Sequence, residues 1–91
     1  MDYLDDFEDD SLINTIERFE KANEDNSSFY FDIEEYQDII DFYLTQMQFE
    51  KAKGVISVAM DQHPHSLDLK ISKAKYLVLN NKLEKAKNLL S

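Results

Sequence analysis

The chain has no cysteine and no tryptophan, and only one glycine and one proline among 91 residues. Without cysteine there is no disulfide framework, no thiolate nucleophile and no zinc-finger spacing. A single glycine rules out a glycine-rich phosphate loop. Gly54 and Pro64 together leave little turn chemistry for β-hairpins, a scarcity that suits long helices. Uninterrupted apolar runs are far too short to span a bilayer, so no membrane is expected as partner. The acidic start carries no basic n-region followed by an apolar core, so no signal peptide is expected either, and a cytoplasmic protein is the default.

What is abundant is acid, and it is unevenly placed. The net charge is −9. Residues 1–41 hold 15 Asp and Glu against Arg18 and Lys21, a balance of −13. Residues 42–91 hold 8 lysines against Glu50, Asp61, Asp68 and Glu84, a balance of +4. Such an asymmetry orients a molecule against a partner or against a second copy of itself. The front half repels phosphate backbones, which argues against nucleic acid. Apolar residues make up 43%, enough for a core in a chain of this length.

The stretch Tyr36 to Pro64 organises the rest. Tyr36, Ile39, Ile40 and Tyr43 follow at helical spacing, then Phe49, Ala52, Ile56 and Ala59, and Pro64 closes the run. These marks resemble the tetratricopeptide repeat, a helix–turn–helix unit with a large residue, an aliphatic–small pair and a tyrosine on its first helix. Ile40 departs from that pattern, standing where a glycine or alanine is usual. A second copy lies 34 residues on, where Phe49-Glu50-Lys51-Ala52-Lys53 becomes Leu83-Glu84-Lys85-Ala86-Lys87. There Lys70 and Lys73 take the places of Tyr36 and Ile39. Either that helix rotates to bury Ile71 and Val78, or the lysine stems lie along apolar surface.

The resemblance implies an all-α chain of five helices. Antiparallel pairs would stack as a short right-handed solenoid behind an N-terminal capping helix. Residues 1–10 are expected as a loose acidic arm, because like charges so dense resist compaction. Residues 11–32 would form the capping helix, started by Asp10 or Ser11, and the loop leading into the first repeat. The first repeat covers residues 33–66, with helices near Ile33–Gln46 and Phe49–Gln62. The second, truncated repeat covers 67–91, with helices near Leu67–Leu79 and Leu83–Leu90. Asp32 and Glu35 have the spacing of a capping box. Ser91 falls partway through a helix that the family continues, so the chain is expected to be the N-terminal portion of a longer bacterial-type repeat protein.

Chemistry is sparse. His63 and His65 flank Pro64 without a third ligand, and solvated histidines are the commoner outcome. Asp38 and Asp41 share a helix face and are spaced for acid–base work, yet no nucleophile or oxyanion donor accompanies them. No enzyme, metal or cofactor is expected. The resemblance instead implies a groove that binds another polypeptide, lined by Glu34, Gln37, Asp38, Asp41 and Thr45, then Asp68, Ser72 and Lys75. Its carboxylates favour a basic peptide. Two alternatives remain: a homo-oligomer pairing through the apolar end at Leu89 and Leu90, and, more distantly, an acidic mimic of nucleic acid.

Overall fold

Asp32 opens the central helix with a reciprocal cap. Its carboxylate accepts from the Glu35 amide at 2.8 Å, and the Glu35 carboxylate accepts from the Asp32 amide at 3.1 Å. Two backbone donors at the helix start are thereby satisfied, as the sequence spacing predicts. The computed structural model describes residues 3–27 and 29–90, with side chains for 11–27 and 29–89. Among them there are four helices, α1 (Tyr3–Glu24), α2 (Ile33–Thr45), α3 (Phe49–Gln62) and α4 (Leu67–Leu90), and no strand. The all-α expectation holds. No helix is long and apolar enough to cross a membrane among the described residues.

The chain divides into two compact units, Met1–Phe31 and Asp32–Ser91. In the first, α1 begins at Tyr3, eight residues ahead of the expected cap at Ser11. Acids at a helix N-terminus complement its partial positive charge, and residues 3–10, expected to repel one another into a loose arm, are in helix instead, while Met1 and Asp2 lie outside the described residues. Ile16 and Phe19 are buried on the inner face of α1. The triplet after it runs in, out, in: Phe31 is buried, Tyr30 is 69% exposed and Phe29 is half-buried. Phe19, Phe29 and Phe31 meet edge to face at centroid distances of 5.5 to 6.0 Å. Arg18 sets its guanidinium 4.9 Å from the Phe31 ring, an attraction of about 0.5–1 kcal/mol at an exposed site.

In the second unit, α2 and α3 run side by side in opposite directions. Three residues join the end of α2 to the start of α3, and the Tyr36 hydroxyl at the other end of α2 donates to Gln62 Oε1 at the end of α3. Tyr36, Ile39, Ile40, Tyr43, Ala52, Val55, Ile56 and Ala59 are all buried between these helices and α4. Every apolar mark noted from Tyr36 to Ala59 is therefore core except Phe49, which is half-buried. His63 leaves the α region at φ −131° and ψ 66°, as the following Pro64 requires, and α3 stops there.

Both short helix ends close on a residue in the left-handed region. At Met47, φ is 58°; its amide donates to Leu44 O at 3.0 Å, and the Gln48 amide to Tyr43 O at 2.8 Å. At Asn26, φ is 56°, and the Ser27 amide reaches Ala22 O at 3.0 Å. These are Schellman closures, which ordinarily favour glycine. Gly54 stands instead in the middle of α3, and a methyl group added there would meet nothing within 4 Å.

The largest difference from expectation is α4. The two helices expected at Leu67–Leu79 and Leu83–Leu90 are one continuous helix of 24 residues, giving four helices rather than five. No proline or glycine interrupts Asn80-Asn81-Lys82, so nothing forces a turn there. Its buried residues are Leu69, Ser72 and Tyr76, followed by half-buried Leu79 and Leu83. Ile71 at 62% and Val78 at 54% are exposed, so the helix turns neither of them inward, and Lys70 and Lys73 are exposed as well. Residues 33 on from Tyr36, Ile39 and Tyr43, not 34, occupy the packed face. Yet the two helices start 34 apart, Ser66 Oγ accepting from the Leu69 amide at 3.2 Å as Asp32 does from Glu35. With equal starts and a one-residue shift of pattern, α4 is turned by about 100° relative to α2.

Candidate functional site

Burying Tyr36, Ile39, Ile40 and Tyr43 leaves the opposite side of α2 to water, and that side carries Glu34, Asp38, Asp41 and Thr45 at spacings of four, three and four. All four are exposed, and Gln37 beside them is half-buried. The capping box fixes where this strip begins, since it sets the first turn of α2.

Charge in the strip is crowded. The Asp38 carboxyl titrates above its ordinary value of 3.8, because its water is partly displaced and because Asp41, Glu34, Asp32 and Glu35 repel its charge. Repulsion of this kind eases when a cation arrives. One cation is already present. Lys75 Nζ donates to Asp41 Oδ1 at 3.2 Å, each side chain being 51% exposed. The structure thus brings together two of the expected partner-binding residues from different helices, while Asp68 is exposed on the first turn of α4.

Ser72 does not line an open face; it is 4% exposed in the packed side of α4. The rotation of α4 that buries it brings other residues outward. Leu67, Ile71, Ala74 and Val78 form the exposed stripe there, and Leu77 stands next to it, 53% exposed. Aligning the packed faces of α2 and α4 would have found that stripe; the shared Glu-Lys-Ala-Lys segment hid it, because it fixes a 34-residue register that the packed face of α4 does not follow.

The two histidines lie apart from this strip, His63 placing its ring 6.0 Å from that of Tyr36. No group of three or more His, Asp or Glu able to hold a metal ion occurs among the described residues. What the face can do chemically is bind positive charge. Comparison of the chain with protein-family models, with curated proteins and with solved structures returned no match.

Proposed function

We propose that the chain is a non-catalytic interaction scaffold, a tetratricopeptide-like helical array acting in the cytoplasm, whose α2 face receives a basic segment of a partner polypeptide. The observation that carries this reading is the exposed carboxylate strip of Glu34, Asp38 and Asp41, on a helix whose other side is sealed into the core. Partial burial and the neighbouring carboxylates hold the Asp38 carboxyl high, and a lysine or arginine laid along the strip offsets the repulsive part. The packed α2–α3 pair, with Ala52 and Ala59 fully buried between larger residues, supports the repeat-like architecture. Each exposed charge pair contributes little, about 0.2–1 kcal/mol, so selectivity comes from several acting together.

The test is a titration of a lysine-rich peptide into the parent and into a Glu34→Gln, Asp38→Asn double variant, which leaves the Asp41–Lys75 bridge intact. Weaker binding by the variant, and weaker binding by the parent as salt rises, is expected. Equal binding by both proteins removes α2 as the site. A second reading, self-association through the C-terminal end, is favoured by Leu89, which is 86% exposed. A sedimentation profile that stays monomeric across concentration excludes it.

A further inference from the structure

The stripe Leu67, Ile71, Ala74 and Val78 is exposed, Leu67 at 72% and Ile71 at 62%. Contiguous exposed apolar surface marks an interaction site more often than scattered single residues do. Its position relative to the acidic strip says what covers it. Adding 33 to Glu34, Asp38, Asp41 and Thr45 gives Leu67, Ile71, Ala74 and Val78, so the two rows hold equivalent places on α2 and α4. The helices pack against each other. Asp41 belongs to the acidic row, and Lys75 lies four residues after Ile71 and three before Val78, on the edge of the apolar row. The 3.2 Å contact between them therefore joins the two rows into one surface.

We propose that this surface takes a single amphipathic helix, its apolar stripe on α4 and a row of lysine or arginine along one edge against Glu34 and Asp38. The proposal rests on the basic-partner reading above and adds to it the partner's apolar half and helical form. Charge complementarity selects this occupant over a second copy of the chain. Pairing α4 with α4 sets Lys70, Lys75 and Lys82, the lysines beside the stripe, against the same lysines, with Asp68 the one acid of α4 itself beside it. Among residues 11–24 of α1, Ile16 and Phe19 are already buried and Ile13 at 49% is the one large apolar side chain left exposed, so that part of α1 offers no matching stripe. An acid-edged helix would meet Glu34 and Asp38 with like charge.

Two synthetic peptides of equal length and charge test this by fluorescence anisotropy with the full chain. One spaces lysines with glycine and serine; the other adds leucines at i, i+3, i+4 and i+7 with the lysines along one edge. The second should bind the parent about tenfold more tightly or better, a difference of about 1.4 kcal/mol. Ile71→Ser with Val78→Ser should erase that advantage and leave the spaced peptide unaffected. Both residues are exposed, so the fold should persist, which circular dichroism checks. Equal binding of the two peptides by the parent, or an advantage that survives the serine variant, overturns the proposal. If Glu34→Gln with Asp38→Asn weakens the spaced peptide while the leucine advantage is missing, the proposal falls and the basic-partner reading stands. If neither peptide responds to that acid variant, the basic-partner reading falls as well.

Discussion

Asp41 and Lys75 meet at 3.2 Å although thirty-four residues separate them. Each is the ninth residue of its helix, and their bridge ties α2 to α4 on the outward side, away from the buried Ile39 and Tyr76. Both side chains are 51% exposed, so water and salt screen the attraction. Removing either partner should cost about 0.2–1 kcal/mol. Thermal melts of Asp41→Ala, Lys75→Ala and the double variant at low and high salt check this. A coupling that does not shrink with salt would show the pair to be less hydrated than its exposure indicates.

Met47 and Gly54 hold each other's preferred places. Met47 takes φ 58° at the end of α2, a conformation costing roughly 1–2 kcal/mol for a residue with a Cβ. Gly54 lies inside α3 with open space beside it, and glycine there costs about 1 kcal/mol relative to alanine. Met47→Gly and Gly54→Ala are each expected to raise stability by up to about 1 kcal/mol, read as a higher melting temperature. Met47 is 61% exposed, so its loss should open no cavity.

Ala52 has no exposed surface at the crossing of α3 with its neighbours. Ala52→Leu forces extra carbon into that space and should cost about 1–3 kcal/mol. Tyr36→Phe is a gentler probe at the other end of the α2–α3 pair: it removes the hydroxyl that donates to Gln62 and should cost about 1 kcal/mol. Denaturant unfolding of both variants should rank them in that order.

Asp38 sets a pH dependence whose sign follows from its raised carboxyl. The folded chain holds this proton more tightly than the unfolded chain does, so ionising Asp38 works against folding. Its contribution to stability is most favourable below the ordinary 3.8 and declines as pH rises through the folded value. Asp38→Asn should therefore be more stable than the parent at neutral pH, and the difference should vanish in acid. Melting curves of the two proteins from pH 3 to 7 measure it; a parent as stable as the variant at pH 7 contradicts the sign.

Much of this fold is legible in residue spacing. Tyr36, Ile39, Tyr43, Ala52, Ile56 and Ala59 announce a buried face because helical periodicity leaves them no other common side. Asp32 with Glu35 announces the start of α2, and Pro64 the end of α3. The continuity of α4 is harder to read, since Leu83-Glu84-Lys85-Ala86-Lys87 copies a helix start while lacking a turn before it. The helix that begins at Tyr3 is obscured by counting like charges without weighing their attraction to a helix N-terminus. At the candidate site the acidic row is visible once α2 is placed. The apolar row requires knowing which side of α4 packs, which Leu69 and Tyr76 decide and Lys70 and Lys73 disguise.

The unbroken length of α4 has a consequence for how the molecule breathes. Leu69, Ser72 and Tyr76 anchor its first half in the core, whereas residues 84–89 are all exposed and bury no side chain there. A helix so unevenly supported opens from its unsupported end without disturbing the rest. Amide hydrogens of Lys85 to Leu89 should exchange with solvent deuterium in a fast local mode, and those around Leu69 to Tyr76 only when α2 and α3 come apart with them. One helix by hydrogen bonding, α4 is thus two segments by lifetime, and the boundary falls near Leu83.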